Sequence, residues 1–305
     1  MNNDKLKTTV ATLSVVSNTT LVILKLAVGL VIGSVSVISE AIHSGVDLIA
    51  AVIALIAVRT SGKPADESHP YGHGKIENIA GTLEALLIFV AAGWIIYEAV
   101  HKLLHPTPIE TVGWGIAIMA FSACANLVVS NILLKTGEKT DSIALKADGM
   151  HLRTDVYTSA GVMAGLGIYW IARSLFPSFP LWWIDPVAAI AVALLIIKAA
   201  YDLTVESARD LLDARIDPEE EKIVIREIEA LYPAVHGFHH LRTRKSGPYR
   251  YFDFHLVVSG DLSTRESHDL TDDLKKKIKE VYKDAVVEIH VEPYENSSRE
   301  HIRKK

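Results

Sequence analysis

The chain has 305 residues, half of them hydrophobic, a mean hydropathy of +0.25 and a formal net charge of −5. Asp, Glu, Lys and Arg together number 28 in residues 1–205 and 39 in residues 206–305, about 14% against 39%. Long, nearly uncharged runs argue against a single soluble globule. The one cysteine, Cys124, excludes an intrachain disulfide or a cysteine-based zinc module, and the acidic balance argues against nucleic-acid binding.

Six apolar stretches are long enough to cross the roughly 30 Å hydrocarbon core of a bilayer as helices. They lie at about 12–33, 36–60, 78–101, 112–134, 145–173 and 182–204. An even number of spans returns both termini to one side of the membrane. We therefore predict a polytopic α-helical membrane domain over residues 1–205.

The distribution of Lys and Arg in the short loops predicts the orientation of these spans. Eight basic residues flank the N-terminus and the connections after spans two and four, and two, Lys102 and Arg173, are the main ones on the other side. The eight are Lys5, Lys7, Arg59, Lys63, Lys75, Lys135, Lys139 and Lys146. This bias predicts a multi-pass protein of the cell (inner) membrane with both termini in the cytoplasm.

The second and fifth spans share an acid-x-x-His-x-x-x-Asp pattern. Span two carries Glu40, His43 and Asp47, and span five carries Asp148, His151 and Asp155. The i, i+4 spacing places His and Asp on one helical face, so two spans together offer two imidazoles and two carboxylates.

This N2O2 set suits tetrahedral Zn²⁺, and burying these ionisable groups at mid-membrane needs a compensating cation or protons. We interpret His43, Asp47, His151 and Asp155 as a transport site. The alternative is a His/Asp hydrogen-bond pair that only joins the two helices.

The loop after span two holds a second potential ligand group. Asp66, His69 and His73 stand in a short segment that Pro70 and Gly72 force to turn. The spacing is compatible with a metal site and equally with an ordinary polar loop.

The charged tail has the pattern of a small soluble domain. A helix from Pro218, two strands around the turn at Ser246, a second helix from Ser263 and a third strand from Val286 give the order αββαβ. We predict a cytoplasmic α+β domain over residues 206–295 and a disordered tail over 296–305. Strand alternation puts His255, His290 and Glu292 on faces away from the core, where they can meet a metal, a partner subunit or only solvent.

Nearly the whole chain resembles the cation diffusion facilitator family, in its six spans, its paired motifs, its loop and its tail. The two histidines of the paired motifs, His43 and His151, resemble the zinc-transporting bacterial type. The resemblance implies a homodimeric exporter that exchanges a cytoplasmic divalent metal, Zn²⁺ first and then Cd²⁺, Fe²⁺ or Co²⁺, for protons by alternating access. It also implies a ferredoxin-like, metallochaperone-like tail domain with a binuclear metal site. The residues implied are His239, His255, His268, His290 and Glu292.

Two further points come from the same resemblance. A common bacterial pattern has Asp where this chain has Glu292, which bears on whether that residue bridges two metals. Lys75 and Asp213 match positions of a charge interlock near the membrane surface, with two ordinary interfacial charges as the alternative.

The resulting prediction is a secondary active transporter and not an enzyme, with metal ions, protons, lipid and a second copy as partners. Three alternatives remain: a membrane-bound metal sensor or scaffold, a manganese- or iron-preferring exporter, and an intramembrane metalloenzyme. The last would need an open coordination position on the metal, which four protein ligands leave no room for.

Overall fold

The computed structural model describes residues 3–33, 35–105, 113–175 and 183–294. The chain divides into two compact units, Met1–Ala208 and Arg209–Lys305. The predicted domain boundary at residues 205/206 falls close to this division. The tail predicted to be disordered, 296–305, lies outside the described residues.

In its described residues, the first unit contains six long helices. They are α1 (Asn3–Ile32), α2 (Val35–Ser61), α3 (Lys75–Leu104), α4 (Gly113–Thr140), α5 (Ile143–Leu175) and α6 (Ile184–Leu211). Within the described ranges, α1, α2, α3 and α6 each contain a stretch long and apolar enough to cross a membrane. This unit is the predicted helical transmembrane domain, and α4 and α5 supply the remaining two of the six predicted spans.

Helix α2 has the polarity of a membrane helix rather than of a soluble one. Ile42, Ile49 and Ile56 recur every seventh residue and are 58–68% exposed, whereas Ala50 and Ala54 are fully buried. Large apolar side chains outside and small residues inside allow close helix packing while presenting a hydrocarbon surface to lipid. The buried face packs against α1, α3 and α5.

The second unit is the predicted small α+β domain. Its elements are α7 (Pro218–Glu229), β1 (Val235–Ser246), β2 (Tyr249–Val258), α8 (Thr264–Val281) and β3 (Val286–Pro293). The sheet order is β1-β2-β3, with β1 antiparallel and β3 parallel to the central strand. The order αββαβ is confirmed.

Both helices of this unit begin at residues that satisfy free backbone amides. The Asp217 carboxylate accepts a hydrogen bond from the Glu219 amide at 2.8 Å, and Pro218 occupies the first turn of α7. Ser263 and Glu266 form a reciprocal capping box at the start of α8. These local signals explain why the helix starts were readable from sequence.

The two helices cover one face of the sheet. Phe252, Phe254 and Leu256 alternate along β2 and are buried against apolar residues of α7 and α8, such as Leu274. A period of two sends the intervening residues, including His255, to the opposite face. Within this unit, the face opposite α7 and α8 can therefore carry polar ligands.

Candidate functional site

Helices α2 and α5 bring all four residues of the predicted transport site together. His43, Asp47 and Asp155 each offer a ligand atom within 4.8 Å of the others. His151 joins them through its Nε2, which lies 3.2 Å from Asp47 Oδ1. Each helix contributes two of these residues. Their i, i+4 spacing places both side chains on the surface that faces the other helix.

The burial of these side chains is graded. Asp47 and His151 are 3% and 5% exposed, Asp155 is half-buried and His43 is exposed in the isolated chain. Among the described residues, His151 Nδ1 and Asp155 Oδ2 are buried without a hydrogen-bond partner. Buried polar atoms without partners are costly, so a cation or proton that satisfied them would be stabilised here.

The second predicted group is also assembled, in the loop between α2 and α3. Asp66, His69 and His73 place ligand atoms within 4.8 Å of one another, and the two imidazole rings are 4.3 Å apart. Asp66 Oδ1 accepts hydrogen bonds from the Ser68 hydroxyl and from the amides of Ser68 and His69. Asp66 therefore shapes the loop as well as offering its second oxygen, 3.4 Å from His73 Nε2.

The Ser68 hydroxyl and the His69 amide lower the pKa of Asp66 to about 2. Its contribution to the loop conformation is thus present above the usual carboxyl pKa and is lost only as the pH falls through about 2. Between pH 4 and 8 the carboxylate stays ionised.

The third group forms a row across the sheet of the second unit. The strand register pairs His239 with His255 and His255 with His290, so each of the three strands contributes one imidazole. Glu292 lies beside this row: its carboxylate oxygens are 2.8 Å from His255 Nδ1, 3.3 Å from His239 Nε2 and 3.7 Å from His290 Nε2. His239, His255 and Glu292 have ligand atoms within 4.8 Å of one another.

Electrostatics favour the ionised form of Glu292. Partial burial raises its pKa, but the hydrogen bond with His255 and the imidazoles of His239 and His290 outweigh this and lower it. The carboxylate is therefore ionised at neutral pH and ready to bind a cation.

His268 does not join this row in the single chain. It stands on the exposed face of α8, with Nε2 3.3 Å from Asp272 Oδ2. Its assignment as a ligand stays a prediction from the family resemblance. So does the interlock of Lys75 with Asp213, whose residues belong to different units; Asp213 Oδ1 lies 3.4 Å from Arg244 Nη1.

The structure places a further histidine, His240, beside this row, and the sequence did not predict this. Strand alternation places neighbouring residues on opposite faces, yet the register of β1 breaks between His239 and Arg242, and His240 takes a left-handed conformation with φ 54°. Its ring lies 4.9 Å from that of His239 and 5.1 Å from that of His255. The only sequence signal for this irregularity in β1 is that two histidines, His239 and His240, are consecutive.

A cavity of about 500 Å³ borders the histidine row. Its lining includes His240, His255 and His290 together with Arg242 and Glu288. The row is therefore accessible to a small ion or to a side chain of another subunit.

Comparison with known proteins covers both units. Residues 11–212 match the cation efflux transmembrane domain, and residues 216–294 match the cytoplasmic domain of cation efflux proteins. An uncharacterised transporter of Synechocystis is 34% identical over 90% of this chain and 86% of its own length. The cation-efflux pump FieF of Shewanella oneidensis is 32% identical over 92% of each chain.

Among solved structures, the metal-bound C-terminal domain of the CzcD transporter from Thermotoga maritima is similar. It is 29% identical, with a TM-score of 0.24, and the match covers 25% of this chain and 87% of that domain.

Proposed function

Since the chain belongs to the cation diffusion facilitator family of cation efflux transporters, we propose that it exports Zn²⁺ from the cytoplasm in exchange for protons. The observation that carries the proposal is the convergence of His43, Asp47, His151 and Asp155 from α2 and α5. Two imidazoles and two carboxylates form a set suited to tetrahedral Zn²⁺, whereas Mn²⁺ favours oxygen-rich sites.

The same four side chains couple the two fluxes. A metal needs neutral imidazole and ionised carboxylate, so loading Zn²⁺ displaces protons, and protonation displaces Zn²⁺. In the cytoplasm-facing state the site takes the metal and releases protons inward. In the outward-facing state it takes protons and releases the metal.

Transport by the purified protein tests this proposal directly. Vesicles that contain the full chain and a zinc-sensitive dye are given a pH gradient, and we expect rapid Zn²⁺ entry that depends on the gradient and collapses with a protonophore. A membrane-bound sensor or scaffold would bind Zn²⁺ without gradient-driven flux. Faster flux of Mn²⁺ or Fe²⁺ than of Zn²⁺ would instead support a manganese- or iron-preferring exporter.

We further propose that the histidine row of the second unit is a cytoplasmic zinc site that stabilises a homodimer. His239, His255 and Glu292 already lie within binding distance of one ion, and the ring of His240 lies beside them. Metal binding can bias transport only if it favours one arrangement of the two subunits over another. The predicted ligand His268 would then have to reach the site in the dimer.

Replacing His255 with alanine tests this second site. His255 lies on the central strand, so its loss removes the imidazole between those of His239 and His290. We expect the Zn²⁺ concentration required for dimerisation to rise at least about ten-fold. Analytical ultracentrifugation of the full chain in detergent measures the fraction of dimer at each zinc concentration. His236→Ala is the matched control, because this histidine of β1 stacks on Tyr294 outside the row. Equal zinc dependence in both variants would contradict the proposal.

A further inference from the structure

A buried lysine lies next to the proposed transport site. Lys25 of α1 is 3% exposed, and its Nζ donates hydrogen bonds to Glu40 Oε1 at 3.1 Å and to Ser44 Oγ at 2.7 Å. Both partners are on α2. A buried ammonium group requires such partners, because leaving it unpaired is expensive.

The spacing on α2 places this charge beside the metal ligands. Glu40, Ser44 and Asp47 follow one another at i, i+4 and i+7, so they share one helical face. Ser44 stands directly after His43 in the chain and three residues before Asp47. A fixed positive charge therefore stands about one helical turn from the site.

The two charges of this ion pair do not cancel at the site. The Lys25 side chain is 4% exposed, whereas that of Glu40 is 35% exposed. The ammonium group also contacts Ser44, about one turn before Asp47, whereas Glu40 lies about two turns before it. The repulsion that Lys25 exerts on an entering dication should then exceed the attraction exerted by Glu40.

The position of the pair along α2 indicates which step it affects. In the predicted orientation the N-terminal end of α2 faces outward, and Glu40 lies about two turns nearer that end than Asp47. The ammonium group, between Glu40 and Ser44, thus stands level with His43 and on the exit side of Asp47. A positive charge there weakens retention of the metal where it must leave.

We propose that Lys25 is a resident cation that lowers the affinity of the transport site for divalent ions and so speeds their release. The inference rests on the proposed function. Lys25 acts through the field at the ligands and is not itself a ligand.

Initial rates of Zn²⁺ transport by the full chain in proteoliposomes test the inference. Lys25→Met should lower KM about ten-fold, the effect of one unit charge several ångströms away in a partly screened site, and should reduce the maximal rate as release slows. Glu40→Gln should shift KM in the opposite direction, because it removes the charge that partly offsets Lys25. The double variant should return to within about three-fold of the unmodified protein, and Lys25→Arg, which keeps the charge, should retain a KM close to normal.

A role in helix packing alone predicts a different pattern. The single variants would then lose maximal rate and protein stability without opposite shifts in KM, and this result would overturn the inference. Glu40→Gln decides the matter if Lys25→Met does not fold, since only the electrostatic role predicts a raised KM for it. An unmodified protein that transports no Zn²⁺ would overturn the proposed function as well, whereas normal transport with an unchanged KM in Lys25→Met would overturn this inference alone.

Discussion

Asp47→Ala and Asp155→Ala are each expected to reduce Zn²⁺-dependent proton flux in proteoliposomes at least about 100-fold, while the protein still folds and inserts. Each change removes one of two carboxylates from a four-ligand set, and loss even of groups that only support metal ligands costs 10- to 100-fold. Asp47 has the further contact with His151 Nε2 at 3.2 Å. Its loss should therefore disturb the imidazole on the opposite helix as well.

Asparagine variants separate charge from shape at the same positions. Asp155→Asn keeps the size and one oxygen of the side chain but can neither be ionised nor exchange a proton, so we expect flux to be lost as in the alanine variant. Asp202→Ala is the matched control, since this aspartate of α6 forms an exposed ion pair with Lys198 and is 60% exposed. Undiminished flux in both Asp47→Ala and Asp155→Ala would refute the assignment of the transport site.

Glu77→Gln is expected to destabilise the membrane unit by about 3–5 kcal/mol, the usual cost of leaving one charge of a buried ion pair without its partner. Glu77 of α3 is fully buried and accepts a hydrogen bond from Lys7 Nζ at 3.0 Å. The hydroxyl groups of Ser61 and Ser142 also donate to its carboxylate. One carboxylate thus links α1, the end of α2, α3 and the start of α5.

Unfolding of the full chain in mixed detergent and SDS micelles measures this loss. The double variant of Lys7→Met with Glu77→Gln should recover part of it, because no unpaired charge remains buried. Asp202→Asn breaks the exposed pair with Lys198 and should cost less than about 1 kcal/mol. If Glu77→Gln were no more destabilising than Asp202→Asn, the network would not be the link between helices that its geometry indicates.

Local periodicity made several features of this protein predictable. The spacing of His43 and Asp47 requires only the pitch of one helix to place both side chains on one face, and the same holds for His151 and Asp155. The spacing of Asp66, His69 and His73 was compatible with a metal site in this loop, but equally with an ordinary polar loop. The order of elements in the second unit followed from Asp217, Ser263 and the alternation along β2.

Features that depend on register or on distant pairing were not predictable in this way. Regular alternation would place His240 on the face opposite His239, and only the irregularity in β1 brings the two rings together. The Lys7–Glu77 pair joins residues 70 positions apart, and no local pattern connects them. Lys25 was visible in the sequence as a charge within a span, but its partners were not.

By itself the sequence determined the class of the protein, the spans that carry paired His and Asp, and the residue types of each candidate metal site. These properties depend on hydrophobicity and helical or strand period, which act over a few residues. Only the tertiary structure decided that α2 and α5 face each other, that three strands align three histidines, and that Lys25 contacts Ser44, next to the candidate ligand His43. Such contacts are set by the packing of whole helices and by strand register, where side chains far apart in the chain compete for the same buried space.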